Sequence, residues 1–556
     1  MPKKYDYSGW SKEDLVKRVN ELEKRKKYGL VWDEEREPEK VVLECKKELP
    51  VLKEVKEKEI KNDPDKPTHI LIEGDNYHAL SVLNYTHENS VDVIYIDPPY
   101  NTGARDWKYN NNYVDDNDMY RHSKWLSMMK NRLLVTKKLL TKTGVLICTI
   151  DKYEQPRLQL LLEEIFIGYE IVCITIVHNP AGTQGKNFSY TNEYAFFVFP
   201  VNGTYINKTT RESALVSAFR DWGTISLRTQ AKTCFYPIIV KNMKIIGFGD
   251  VCEDQYHPES SNFQQKDGTT FVFPIDKDGI EKKWVFSRNS VEKIKDELFC
   301  KKTNNEITIF RRKNEASYRT VWDDKKFYAN IYGSKLLNII IDKTFPFPKS
   351  LYAVMECVKA AIHDKNNSVI LDYFAGSGTT GHAVLELNKE DSGNRRFILC
   401  TNNENNIASE VCLPRITKVI KGYENKDGKE ILGLGGNLKY YQTDFVPAKT
   451  TDINKEKLTK QSVEMICLRE NTFETVMEDG SIKIFQNKEK YTAILFDQLA
   501  IPKLKEIIKD YDKPIQVYIF SLGDDTFADE FADMKEKVTV KSIPAAILRV
   551  YRRIFK

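Results

Sequence analysis

Two apolar, β-branched runs that each stop at an aspartate stand out in the hydropathy pattern of this chain. The first is Val93-Ile94-Tyr95-Ile96, which breaks off at Asp97-Pro98-Pro99-Tyr100-Asn101-Thr102-Gly103. The second is Val369-Ile370-Leu371, which breaks off at Asp372-Tyr373-Phe374-Ala375-Gly376-Ser377-Gly378-Thr379-Thr380-Gly381. Both read as strands buried on two faces, as in a parallel sheet. Around them strand and helix patterns alternate. A strand at 69–72 precedes a helix through Leu80 and Leu83. An amphipathic helix carries Leu126, Met129, Leu133 and Leu140 on one face. A strand at 145–150, a helix through Leu158, Leu161 and Leu162, and strands at 171–177 and 397–400 complete the set. Such alternation predicts a doubly wound α/β fold.

Elsewhere the pattern differs. Leu15, Val19 and Leu22 at helical spacing predict a helix over 11–27, capped by Ser11, and a second charged helix is expected over 38–61. The polar and aromatic stretch 102–118, with Trp107, Tyr109 and Tyr113, reads as a loop that closes over substrate. From 201 to 344, strand-like runs at 235–240, 270–274 and 308–310 alternate with polar turns and interleaved arginines and aromatics. The tail reads as a small α/β unit, with strands at 493–496 and 516–520 and helices at 503–509 and 543–554. The expected organisation is therefore a helical arm (1–67), a catalytic half (68–200), an insert (201–344), a cofactor half (345–445) and a C-terminal α/β domain (446–556).

The two turns suggest complementary chemistry. Neither proline can donate a ladder hydrogen bond, and each holds the preceding residue extended. The chain thus leaves the first strand rigidly, displaying a carboxylate, free carbonyls and an aromatic ring. An exocyclic amine on a base is a poor nucleophile because its lone pair is delocalised. Asp97 and the Pro98 carbonyl, accepting its two N–H bonds, would draw it toward a tetrahedral, reactive geometry, with Tyr100 stacked on an extruded base. The same residues also suit an acidic strand end, a rigid turn and a core tyrosine. At the second turn, glycines allow close backbone approach to a ligand. The spacing is not G-x-G-x-x-G and no lysine follows, so a dinucleotide or phosphate loop is disfavoured. Acidic Asp372 suits a cationic ligand, and Glu404, past the 397–400 strand, is placed to bind ribose hydroxyls.

Together these stretches resemble the DNA amino-methyltransferases that use S-adenosylmethionine. The catalytic motif precedes the cofactor loop with a long insert between, which is the permuted order of the β class. The resemblance extends to the Mod (modification) subunits of type III restriction-modification systems. It is carried by Asp97 through Gly103, by Tyr120-Arg121-His122-Ser123-Lys124-Trp125-Leu126 and by Phe345-Pro346-Phe347-Pro348-Lys349-Ser350, and covers about 68–416. It implies a catalytic set of Asp97, Pro98, Pro99 and Tyr100. It implies a cofactor set of Asp75 at the adenine end, Phe347 and Lys349 at the methionine end, Asp372, Phe374, Ala375, Gly376, Ser377, Gly378 and Thr379 in the turn, and Glu404. Aspartate rather than serine at position 97 favours N6 of adenine, with N4 of cytosine the nearest rival. An orphan methyltransferase, or a catalytically silent specificity subunit, is the further alternative. Transfer by in-line displacement needs no metal. The insert becomes a target-recognition domain, with Arg228, Arg288, Arg311 and Arg312 as DNA contacts. Double-stranded DNA, a second copy of the chain and a restriction (nuclease-translocase) subunit are the expected partners.

Composition adds little that changes this picture. At 556 residues, with 41% hydrophobic and 30% charged, several globular domains are expected. Net charge is only +5, but 24 Lys and Arg face 18 Asp and Glu between 201 and 345, so the formal excess falls in the insert. The ten cysteines show no Cys-x-x-Cys pairing, no apolar signal core opens the chain, and no apolar run is long enough to span a bilayer. A cytoplasmic protein without membrane contact is expected.

Overall fold

The structure, a computed structural model, describes residues 9–24, 32, 37–184, 187–303, 306–343, 345–364, 366–523 and 525–555. Two compact units emerge: Met1–Asn207 with Arg319–Lys556, and Lys208–Tyr318.

The first unit is built on a ten-stranded sheet. In chain order its strands are β1 (Glu48–Glu54), β2 (Thr68–Glu73), β3 (Val91–Ile96), β4 (Leu140–Ile150), β5 (Tyr169–Val177), β6 (Asn192–Pro200), β7 (Val321–Trp322), β8 (Val369–Asp372), β9 (Arg396–Thr401) and β10 (Asn437–Pro447). Their spatial order is β1-β10-β2-β9-β8-β3-β4-β6-β5-β7. The six strands from β10 to β4 run parallel, while β1 and β6 pair antiparallel at either side. Helices pack as two separate groups, as a doubly wound sheet requires. Asn76–Thr86, Arg121–Thr136 and Gln155–Ile165 form one, and Leu351–Ala361, Thr379–Asp391 and Leu413–Lys421 the other. This explains the apolar runs. On β3, Ile94 and Ile96 join the cluster containing Leu80, Leu83 and Leu133, while Val93 and Tyr95 are buried on the other face.

Several sequence expectations are corrected. Instead of a helix over 38–61, only Lys40–Cys45 is helical, and Leu49, Val51 and Leu52 are buried in edge strand β1. A charged composition misled because this strand exposes only its ends. The predicted loop at 102–118 contains a hairpin, Ala104–Tyr109 with Asn112–Asp115, that buries Trp107 and Tyr109. Residues 37–40 clasp it: Tyr109 Oη donates to the Glu37 carbonyl at 2.8 Å, and the Lys40 N–H to Asn110 Oδ1 at 2.7 Å. Leu140 begins β4 rather than continuing the preceding helix. Of the predicted helix over 11–27, Lys12–Lys24 is helical and 25–27 lie outside the described residues.

The tail forms a five-stranded mixed sheet, Glu474–Asp479, Ile482–Gln486, Tyr491–Leu495, Ile515–Phe520 and Val538–Ile543. It is not a separate compact unit. Ile547, Leu548 and Tyr551 of the last helix join the main core cluster, and Tyr551 Oη donates to the Pro50 carbonyl. The inserted unit is likewise shorter than 201–344. Val321–Trp322 returns to pair with β5, which assigns the chain from Arg319 to the first unit, and Thr344 lies outside the described residues. Lys208–Tyr318 itself is antiparallel throughout. A three-stranded and a four-stranded sheet enclose a core that includes Phe219, Tyr236, Ile238 and Trp284.

Candidate active site at the carboxyl edge of the sheet

Strands β8 and β3 are adjacent and parallel, with Ile370 opposite Val93 and Leu371 opposite Ile94. By the same register Asp97 comes level with Phe374, so the turns that follow the two strands leave the sheet next to each other at its carboxyl edge, where open α/β sheets hold ligands. The loop order in the sequence does not matter, because register brings the two turns together.

At the first turn, Trp125 is fully buried and its Nε1 donates to the Pro99 carbonyl at 2.7 Å. Asn101 takes up positive φ and is buried; its amide donates to Glu154 Oε1 at 2.5 Å and accepts from Trp107 Nε1 at 3.2 Å. The turn is thus fixed from both sides. Asp97 Oδ1 accepts from Thr149 Oγ1 at 2.7 Å and lies 3.2 Å from Lys349 Nζ. The same ammonium donates to Glu193 Oε2 and to Tyr100 Oη, while Tyr100 Oη donates to Glu193 at 2.8 Å. It also lies 4.5 Å from the centre of the Tyr100 ring. Among the described residues, the second oxygen of Asp97 and the Pro98 carbonyl accept no hydrogen bond.

Burial, and then the neighbouring Glu193 charge, raise the Asp97 carboxyl above its ordinary range against the pull of Lys349. Burial would raise Glu193 too, but Lys349 and the Tyr100 hydroxyl bring it below its usual value. Burial works against the Lys349 charge, and the two carboxylates outweigh it, so the ammonium is held more firmly than usual. Glu193 went unnoticed in the sequence. It begins an antiparallel strand, and only the pairing of Tyr194 with Ile150 brings it to this edge.

At the second turn, Asp372 is buried and both its oxygens are committed locally. Oδ2 accepts from Thr380 Oγ1 at 2.5 Å, and Oδ1 from the Phe374 N–H at 2.9 Å. Burial raises its carboxyl to about 7 despite these bonds. Asp372 therefore shapes the turn instead of offering a free carboxylate to a cation. Gly376 (φ 48°) and Gly378 (φ 77°) have left-handed backbones that favour glycine. Beneath them Arg415, fully buried, donates to Thr379 Oγ1 at 2.8 Å and Ser377 Oγ at 3.1 Å, and its Nη2 lies 3.3 Å from His382 Nδ1. Burial lowers its guanidinium to about 10.

The remaining predicted cofactor residues divide. Phe347 is 93% exposed, whereas Phe345 approaches the turn: a Cβ added to Gly376 would sit 3.5 Å from its ring. Lys349 faces the Asp97–Tyr100 turn, as described, and not the glycine turn. Asp75 caps the Asn76–Thr86 helix, accepting from the Tyr77 N–H at 2.7 Å, with Arg132 3.5 Å away and itself paired with Glu39 at 2.7 Å. Glu404 lies beyond β9 and is held by Lys108 and by Tyr113 Oη (3.3 Å), both from the hairpin.

Of the predicted DNA-contacting arginines, Arg228 is buried, Arg288 and Arg311 are half-buried and Arg312 is exposed. Arg228 is 6% exposed, pairs with Glu281 at 3.1 Å and donates to the carbonyls of Tyr256 (2.7 Å) and Glu253 (2.6 Å). Its donors face the fold, which removes it as a first choice for reading base edges. Arg288 donates to the Gly249 and Phe248 carbonyls, and Arg311 to Glu297 at 2.6 Å. Arg312 is exposed, resting 5.1 Å from the centre of the Phe299 ring.

A rigid Asp97–Tyr100 turn and a glycine turn, adjacent on a doubly wound sheet, define an α/β protein with a candidate ligand site at the carboxyl edge of its sheet. A profile of the DNA methylase family matches residues 91–410. The chain belongs to that family: it is a DNA methyltransferase, with S-adenosylmethionine as its methyl donor and DNA as its substrate. It is similar to the type II methyltransferase M.KpnI of Klebsiella pneumoniae, 31% identical over 353 residues, covering 59% of this chain and 79% of that one. The StyLTI Mod subunit of a Salmonella typhimurium type III restriction-modification enzyme is 29% identical over 402 residues, 63% of this chain and 57% of its own. The probable HindVI Mod subunit of Haemophilus influenzae is 24% identical over 530 residues, 83% of this chain and 65% of its own. The chain thus spans less than two thirds of either Mod subunit's length. Among the described residues no helix is long and apolar enough to cross a membrane.

Proposed function

We infer that this enzyme methylates N6 of adenine in duplex DNA, and that it is the modification and specificity subunit of a type III restriction-modification system. The observation that carries the transfer reading is the parallel register of β3 and β8, which sets Asp97 beside the glycine turn. Asp97, by its open oxygen, and the Pro98 carbonyl accept the two N–H bonds of the amine. A base in this position has left the helical stack, and Tyr100, its hydroxyl tied to Glu193, presents its ring to it. Asp97, with its carboxyl raised by burial, is also suited to take the surplus proton from the methylated nitrogen.

The second turn fits the donor. Gly376 leaves space beside Phe345 that a side chain would fill, Gly378 lets the chain pack against Cys412 and Ile416, and Ser377 and Thr379 are held by Arg415. Glu404 is the carboxylate available to ribose hydroxyls, and Phe345 borders the turn. Bound S-adenosylmethionine supplies an electrophilic methyl group on a sulfonium. Catalysis by the chain is positioning plus preorganised electrostatics.

Similarity to subunits of type III restriction-modification enzymes supports a restriction subunit, a nuclease-translocase, as partner; a homodimer, a cytoplasmic location and target reading by the unit Lys208–Tyr318 complete the proposal. Similarity to M.KpnI over most of that protein favours a second reading, a methyltransferase acting alone. Methylation-aware sequencing of host DNA with and without the gene tests the base and the motif. Co-purification of a helicase-nuclease from the host separates the two readings. N4-methylcytosine in place of N6-methyladenine would overturn the adenine assignment.

A further inference from the structure

The group around Lys349 contains a residue whose role goes beyond the turn itself. One ammonium meets three oxygen acceptors from three parts of the chain: Asp97 Oδ1 on the catalytic turn, Tyr100 Oη, and Glu193 Oε2 at the start of β6. Glu193 and Lys349 are nearly enclosed, with side chains 5% and 11% exposed, whereas Asp97 is 26% exposed and open on one side. A buried carboxylate is costly unless it is paired and hydrogen-bonded. Glu193 has both here, in Lys349 and Tyr100. If Lys349 had Asp97 as its sole counter-charge, the ammonium would settle wholly on it and compete with the incoming amine. The second carboxylate divides the ammonium, so that one Asp97 oxygen is pinned by Thr149 and Lys349 while the other is left without a hydrogen bond among the described residues.

We propose that Glu193, acting through Lys349, is a positioning residue for methyl transfer: it holds the ammonium back so that Asp97 keeps one open oxygen for the acceptor amine. This rests on the reading of Asp97 given above. Other groups act on the same carboxylate or on its two partners. Asp372 stands on the neighbouring strand, Cys148 on β4 and Asp151 just past it, and His178 follows β5. None of these is hydrogen-bonded to Asp97, so Lys349 and Glu193 are the charges whose removal should alter it most.

The two charges act in opposite senses, which supplies the test. Single-turnover methylation rates are measured from pH 5 to 9 on a duplex carrying the site found by sequencing. The protein is full-length wild type, Glu193→Gln, Lys349→Met or the double variant. Cofactor-free binding of the same duplex, with 2-aminopurine at the target position, is followed by fluorescence over the same range. Glu193→Gln should move the acid limb of the rate profile down, and Lys349→Met should move it up, each by about one pH unit. The double variant should fall between them. Glu193→Gln should also lower the plateau rate by about tenfold or more and weaken the cofactor-free fluorescence rise, because Lys349 then occupies Asp97. Limbs that stay in place, or move together, in folded variants would overturn the proposal. Either single variant suffices, since each carries its own sign. Asp97→Ala, run in parallel, separates the two levels: if it stays active, the reading of Asp97 falls and this proposal with it. If it is inactive while the limbs do not move, only the role of Glu193 falls.

Discussion

Replacing Asp97 with alanine is the sharpest perturbation of the proposed chemistry, because the structure limits what else it should disturb. The side chain makes two contacts, Thr149 Oγ1 at 2.7 Å and Lys349 Nζ at 3.2 Å. Neither partner is stranded by its loss. Thr149 Oγ1 also lies 3.2 Å from the Ile96 carbonyl, and Lys349 keeps Glu193 and Tyr100. No uncompensated buried charge is created, so the destabilisation belongs with ordinary substitutions, about 1 kcal/mol. The effect on transfer is far larger. Removing one preorganised partner of a reacting group costs about 2.7–4 kcal/mol, or roughly 100- to 1000-fold in kcat. Glycine-turn contacts are untouched, so affinity for S-adenosylmethionine by calorimetry should stay within about threefold, the order expected for a change of under 1 kcal/mol. The assay is transfer of labelled methyl from S-adenosylmethionine to duplex DNA under saturating cofactor. Turnover within tenfold of wild type, in a variant that melts normally, would refute the assignment.

Three further outcomes are expected. Gly376→Val should abolish cofactor binding by calorimetry while the fold survives, since a β-branched residue at φ 48° is strained by about 1–2 kcal/mol and fills space beside Phe345; normal affinity would make the turn purely structural. Arg228→Ala should destabilise the unit Lys208–Tyr318 by about 1–3 kcal/mol, read by limited proteolysis, because it leaves the carbonyls of Tyr256 and Glu253 without their buried donor, while half-buried Glu281 keeps His257; a stable variant with a relaxed methylation motif would restore Arg228 as a base reader. Glu470, bound by Lys490, Tyr518 and Lys541, is held down to about 2 despite burial. Its folded value lies below the unfolded one, so its contribution is full above about 4.5 and is lost as pH falls toward 2. Thermal melts should show roughly 2 kcal/mol of acid-sensitive stability that Glu470→Gln removes, and identical pH slopes would count against the network.

The sequence by itself determined the elements whose conformation is encoded locally. Val93 to Ile96 and Val369 to Leu371 are buried on both faces, so their hydropathy alone marks them as central parallel strands. Pro98, Pro99, Gly376 and Gly378 restrict or release backbone dihedrals within a residue or two, so the turns after Asp97 and Asp372 were readable too. Edge strand β1 was not. Its charged ends resemble a helix, and its state depends on pairing with β10, almost 400 residues away. The same limit applies to side chains. Arginine in a polar run looks alike whether it faces solvent or, like Arg228, is enclosed by carbonyls from Glu253 and Tyr256. Lys349 reads as part of a cofactor segment until the fold sets it against Glu193, 156 residues earlier. Local patterns encode periodicity and dihedral preference. Which charges meet is decided by strand register and by the burial that makes their pairing necessary, and only the tertiary structure sets those.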